Sequence, residues 1–455
     1  MNYQDIFDEE KSVFLDDFFT FLKFRTISSN YPKTSEEMFA CVDFIQTYLE
    51  GIFSTELWET EEHPPVLFAY NTEAGPDKKT LLLYMHYDVQ PIEPLDEWKS
   101  EPFDPELRDG YVYSRGASDN KGQCFYTLFA CKEFFKKHGK FPINIKIIID
   151  GEEEIGSPGL GKLLEKKEES IRADELFIVD GGFNSEEAPR ISLGARGLVN
   201  IIVNVTESNS DLHSGSLGGA AYNPNRALIK MLASLHDENN RVCVKGFYDD
   251  VIPLSKQEMT LLCMDNQEES CFSAFGFHPS GMEKNYSVYE AIFLRPTLEI
   301  CGIGGGYTGP GFKTVIPKMA TAYISCRLVP NQVPERIGKA VINHLLKVLP
   351  KGLKMTSEIR DGASLGWHNT ENISAITQKL SGIYEKLFGA PCKYTLMGGS
   401  IPIALDLAAS SKARPVICGV SFNQDNIHAP NEKFSLSQLR RGFLSICMLL
   451  ESEVD

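Results

Sequence analysis

The chain has 455 residues, 42% of them hydrophobic and 24% charged, with a formal net charge of −17. That length accommodates two domains and a large apolar core. The acidic balance argues against nucleic acid, which needs a basic face to neutralise phosphates, and no apolar run approaches a membrane span.

Helical spacing places Phe14, Phe18, Phe21 and Leu22 on one side of a helix over residues 10–24, and a second helix is predicted over 35–48. Strands follow at 66–70 and at 80–89, the latter, "TLLLYMHYDV", with the continuous apolar character of a buried strand. A helix at 123–137 leads to strands at 143–149 and 176–179. Strand and helix alternate, so an α/β sheet with both faces covered is expected. After residue 187 the pattern changes. "RGLVNIIVNVTES", "PNRALIKMLASL", "TLEICGI", "MATAYISCRLV", "PERIGKAVINHLLKVL" and "LKMTSEIR" read in the order β-α-β-β-α-β of a ferredoxin-like unit. A loop-rich insertion at 237–294 interrupts it. The α/β pattern resumes with a helix at 373–387 and a strand at 414–418. The expected architecture is one α/β domain, residues 1–190 and 366–455, carrying a smaller α+β domain, residues 191–365, between its halves.

The opening Met1–Asp5 stretch is acidic and polar, which predicts no signal peptide. The eleven cysteines are an odd number, scattered and without a C-x-x-C pair. This usage predicts reduced thiols in a cytoplasmic protein and argues against zinc sites built on cysteine.

Chemistry-bearing residues gather where buried strands stop. His86 and Asp88 end "LLLYMHYD", and residues two apart in a strand share a face. Asp119 lies in the turn "SRGASDNKGQ". The next strand runs into three consecutive glutamates, Glu152, Glu153 and Glu154. Asp180 ends "LFIVD", and His428 sits in "NIHAPNEKF" beyond the strand at 414–418. Ligands bind at this carboxyl end of open α/β sheets. Taken singly, each residue reads more readily as a cap, a surface group or a solvated turn than as a ligand. Their recurrence after successive strands points to a carboxylate cluster that divalent cations relieve. Two histidines among oxygen ligands suit zinc, cobalt or manganese better than calcium. A carboxylate shared by two metals is the usual basis of two-metal hydrolysis.

The pieces "HYDVQP" at 86–91, "RGASDNKG" at 115–122, "EEEIGSPG" at 152–159, "LHSGSLGG" at 212–219, "KTVIP" at 313–317, "CRLVPNQ" at 326–332, "GGSIP" at 398–402 and "HAPNEKF" at 428–434 occur in this order along nearly the whole chain. In them the chain resembles the M20 metallopeptidases, particularly the dipeptidase branch of cytosolic non-specific dipeptidases and carnosinases. The resemblance implies a zinc-peptidase-like α/β catalytic domain with an inserted ferredoxin-like lid and dimerisation domain, and a homodimer formed through that lid. It implies two divalent metal ions per subunit, zinc or else manganese or cobalt. His86, Asp119 and Asp180 would hold one, and Asp119, Glu154 and His428 the other. Glu153 would be the general base and Asp88 the residue orienting His86; Glu152 has no assigned role. A cis peptide is implied at Asp119–Asn120. His213 would reach the neighbouring subunit's site to steady the oxyanion, Arg327 would grip the substrate's free carboxylate, and Ser400 would contact substrate. His63, His138, His236, His278, His344 and His368 match no motif and are read as structural.

The expected activity is hydrolysis of dipeptides or very short peptides with a free C-terminal carboxylate. The alternative is an N-acyl-amino-acid deacylase of the acetylornithine deacetylase or succinyl-diaminopimelate desuccinylase type, whose ligands are similar; "HYDVQP" and the long lid favour the dipeptidase. A non-catalytic scaffold would ordinarily lack a ligand or the base, and here every position is filled.

Overall fold

The computed structural model describes residues 2–183, 185–186, 188–262, 272, 276–360 and 362–454. A nine-stranded sheet forms its centre. Its strand order is Ser54–Thr60, His63–Asn71, Asn144–Asp150, Thr80–His86, Glu175–Val179, Arg414–Cys418, Arg190–Ala195 and Trp367–His368, with Lys393–Met397 also paired to Arg190–Ala195. The four strands from Asn144–Asp150 to Arg414–Cys418 run parallel. Their near-unbroken apolar runs follow from burial on both faces. Leu81, Leu83 and Met85 pack into one layer, while Leu82 and Tyr84 pack into the other.

The first layer is covered by helices Tyr3–Lys23, Ser35–Leu49, Lys121–His138, Ala375–Phe388 and Leu436–Glu451. Phe14, Phe18 and Phe21 are buried there and pack around Phe125, Phe18 stacked and the other two tilted, on the one side that the helical spacing predicts. Helices Pro158–Ile171 and Ala404–Ser411 cover the second layer.

A separate four-stranded sheet has the order Thr297–Gly305, Met319–Leu328, Gly197–Thr206, Lys354–Ile359 and is antiparallel throughout. With helices Pro224–Ala233 and Pro334–Val348 on one face, this is the ferredoxin-like order of the sequence reading. Strict alternation along Gly197–Thr206 marks a sheet covered on one side. Part of the insertion read at 237–294, namely 263–271 and 273–275, lies outside the described residues.

Two differences bear on the site. The strand predicted over 80–89 stops at His86. Beyond it Tyr87 N–H donates to Asp150 O (2.8 Å) and Val89 N–H to Thr26 O (2.9 Å), which turns the chain off the sheet. Strand Arg190–Ala195 belongs to the large sheet, which thus continues past residue 190. Its mixed polarity fits a position shared between a parallel and two antiparallel neighbours.

Candidate metal centre

Three parallel strands deliver the first residues. His86 is the last residue of its strand, Asp180 follows Val179, and Asp150 leads into the turn of Glu153–Ile155. Asp119 precedes helix Lys121–His138, and the Asp119–Asn120 peptide is cis. His428 comes from the loop before Lys433–Ser435 and has a positive φ of 62°.

These residues converge. His86 Nε2 lies 3.2 Å from Asp119 Oδ1 and 3.8 Å from Asp180 Oδ1. His428 Nε2 lies 2.9 Å from Asp119 Oδ2 and 3.2 Å from Glu154 Oε2. Two groups result, His86–Asp119–Asp180 and Asp119–Glu154–His428, each with its ligand atoms within 4.8 Å of one another. Asp119 is common to both, one carboxylate oxygen facing each histidine.

The donor set fits divalent cations. His86 is fully buried, yet its Nε2 has no hydrogen-bond partner, and neither has Glu154 Oε1. Such orphaned atoms are costly unless something binds them. Without cations the cluster holds protons instead. Burial lifts Glu154 to about 7, aided by Asp119 and opposed by His428. Burial raises Glu153 well above the ordinary carboxylate range; His86 opposes this, and Asp180, Glu154 and Asp88 add to it. Burial works against charge on His428, but Asp119 and Glu154 outweigh it and raise the ring to about 11. Cations would displace those protons and reverse the local field.

The supporting shell explains the geometry. His86 Nδ1 is 3.2 Å from Asp88 Oδ1 and 3.1 Å from Asp88 O, so Asp88 meets the ring from the side away from the cluster. Asp88 also accepts the backbone N–H groups of Glu153 (3.1 Å) and Glu154 (3.2 Å), pinning both glutamates. Glu152 turns inward: it accepts Gly159 N–H and meets His63 Nδ1 at 3.0 Å, a structural anchor. Here His63 matches its structural reading.

Three supporting residues escape the sequence reading. Gln90 donates to Glu154 Oε2 (2.7 Å). Asn120 donates to Asp180 Oδ1 (2.9 Å). Glu432, fully buried, accepts from Arg115 Nη1 (2.7 Å) and from the N–H groups of Gly116 (2.9 Å), Ser118 (2.9 Å) and Asp119 (3.0 Å). All three lie inside the quoted pieces, but nothing local shows partners 64, 60 and up to 317 positions away.

A cavity of about 780 Å³ opens over the cluster, lined by Asp119, Glu153, Glu154, Asp180 and His428 together with Arg327 and Ser400. Arg327 Nη1 donates to Ser400 Oγ at 3.0 Å, joining the second sheet to the loop after Lys393–Met397. His213 is not among the lining residues. It is exposed, in a two-residue strand paired to Val315–Ile316, and its Nδ1 accepts Gly215 N–H (3.0 Å). Within one chain it caps its own turn.

A model of Peptidase family M20/M25/M40 matches residues 82–452. The chain is 31% identical over 379 residues to the Beta-Ala-His dipeptidase of Homo sapiens, covering 82% of this chain and 74% of that protein. The solved structure of the di-peptidase Dug1p from Saccharomyces cerevisiae superposes with a TM-score of 0.86 at 25% identity, covering 99% of this chain and 98% of the other. The M20 family metallo-carboxypeptidase Sso-CP2 from Sulfolobus solfataricus also gives 0.86, at 31% identity, covering 97% and 99%.

Proposed function

Since the chain belongs to the peptidase family M20/M25/M40, we propose that it is a metal-dependent dipeptidase acting on short peptides with a free C-terminal carboxylate. The observation that carries this reading is one cavity into which two ligand groups sharing Asp119 open, with a glutamate beside them and Arg327 in its wall.

Bound divalent cations, zinc or else manganese or cobalt, would polarise the scissile carbonyl and acidify water. The residues holding them would be His86, Asp119 and Asp180 on one side and Asp119, Glu154 and His428 on the other. Glu153 takes a proton from the attacking water and returns it to the departing amine. Asp88 fixes the His86 ring and, through two backbone bonds, the approach of Glu153. Arg327, steadied by Ser400, receives the peptide's terminal carboxylate, which its planar fork suits.

The ferredoxin-like unit serves as lid and dimer contact in this reading. Strand Thr297–Gly305 lies at the edge of its sheet, and Ile303, Phe312 and Tyr323 expose apolar surface at 59%, 92% and 50%. Open edges and apolar patches of this kind are ordinarily covered by another chain. His213, exposed and outside its own cavity, then acts across the dimer on the neighbouring oxyanion. His213→Ala and Glu153→Ala subunits, each inactive, should regain activity when mixed. No recovery despite demonstrated subunit exchange would exclude a shared site. The chain's nine described cysteines are all free, and among the described residues no helix is long and apolar enough to cross a membrane; both accord with a cytoplasmic enzyme.

Steady-state hydrolysis of a dipeptide panel against N-acetyl and N-succinyl amino acids tests the activity. Dipeptides should be cleaved, and amidating their C-terminus should cost about 10–100-fold in kcat/KM through loss of the charged bond to Arg327. Turnover of N-acyl amino acids alone would select the deacylase. Chelation should abolish activity and lower Tm by several degrees, because a ligand of the native state at about 100 times its Kd contributes about 2.7 kcal/mol. Adding back zinc, manganese or cobalt should restore both.

A further inference from the structure

Arg190 stands in the wall of the cavity with no part in the reaction described above. It opens strand Arg190–Ala195, and its Nε donates to Gly182 O at 2.8 Å. Gly182 follows Asp180 by two positions, so the guanidinium is tied to the Asp180 side of the cluster. Among the described residues no carboxylate pairs with it. Burial lowers its pKa, and the opposing influence comes only from Tyr289. Arg190 is half-buried, and an arginine drawn partly out of water is seldom left without an anion.

The charges of the cavity single this residue out. Of its lining carboxylates, Asp119, Glu154 and Asp180 are groups that two divalent cations would neutralise, and Glu153 is the base that carries the reaction's proton. Arg327 is answered by the substrate's terminal carboxylate. Arg190 has no carboxylate counterpart among the described residues, the metals or the peptide backbone.

It also stands at the opposite end of its strand from the loop that holds Arg327. Arg196 follows the other end of Arg190–Ala195 and donates through Nε to Gly398 O (2.8 Å), beside the Ser400 that holds Arg327. At about 3.3 Å per residue, the backbones of Arg190 and Arg196 are roughly 20 Å apart. An extended dipeptide spans only about 7 Å. With its terminal carboxylate at Arg327, the peptide would meet Arg190 through a group extending from its other residue.

Resting on the dipeptidase reading, we propose that Arg190 is a specificity-determining residue that receives a carboxylate on the acyl side of the scissile bond. The preferred substrates are dipeptides with aspartate or glutamate in first position. A succinyl group presents the same chemistry.

The test pairs acids with their uncharged isosteres: Glu-Ala against Gln-Ala, Asp-Ala against Asn-Ala, and N-succinyl-alanine against N-butyryl-alanine. Wild-type enzyme should favour the acid by about 10–100-fold in kcat/KM, the value of one charge-assisted bond. Arg190→Ala should remove the preference, and Arg190→Lys should keep part of it, with unchanged thermal unfolding as the control for folding. Equal rates for acid and amide in the wild-type enzyme, or a preference that survives in Arg190→Ala, would overturn the proposal. Cleavage confined to N-succinyl-alanine, with the same dependence on Arg190, would remove the dipeptidase reading and leave the role of Arg190 standing. Cleavage of dipeptides without acid preference would do the reverse.

Discussion

Glu153→Gln should lower kcat by about 10²–10⁴-fold, the usual loss when a positioned general base is removed, while the protein keeps its fold and its metal. The substitution preserves shape but removes the proton carrier. Glu153 is absent from both ligand groups, so metal content per chain should not change. Stability should not fall either. Burial and the neighbouring Asp180 and Glu154 carboxylates disfavour a charge at this position, and the amide carries none. Elemental analysis, thermal unfolding and single-turnover kinetics on one preparation would check all three expectations. Near-normal turnover would sink the assignment of Glu153 as base. Loss of metal together with activity would recast it as a ligand.

Glu432→Ala should be the most destabilising single change at the site, by about 3–5 kcal/mol, the cost of breaking a buried ion pair from one side. Arg115 and Glu432 each expose only 1% of their side chains. Removing the carboxylate strands the guanidinium and unties three N–H groups of one turn, the last being that of Asp119. The effect should therefore reach the chemistry: metal affinity should drop along with stability, because the carboxylate common to both ligand groups loses its tether. Arg115→Met would be milder, since it leaves Glu432 three backbone donors. Denaturant midpoints and metal titration of the two variants would separate these effects. Equal midpoints for Glu432→Ala and wild type would mean that the turn is held by other contacts.

Much of this was legible from local pattern. Apolar runs announced the parallel strands, and residue type alone drew attention to His86, Asp119, Glu154, Asp180 and His428 at their ends. The ferredoxin-like unit was readable because strands Gly197–Thr206 and Met319–Leu328 and helix Pro334–Val348 are long and strongly periodic. Short elements were not: Arg190–Ala195 and Lys393–Met397 are too brief and too mixed in polarity to stand out. The end of the strand at His86 was misplaced because Tyr87 and Val89 are as apolar as the strand before them. Only their hydrogen bonds to Asp150 and Thr26 turn the chain away.

What the order of residues determined by itself is the inventory: which side chains carry charge, and which strands bring them to the sheet's carboxyl edge. Those properties follow from residue type and from the two- and 3.6-residue periods, which act over a few neighbours. The tertiary structure alone decided the partnerships. It placed one Asp119 oxygen against each histidine, set Glu432 beneath a turn 313 positions earlier, kept His213 outside its own chain's cavity, and left Arg190 within that cavity with no carboxylate partner among the described residues. Such pairings depend on sheet order and register, which bring distant segments together and leave no trace in the spacing of either one.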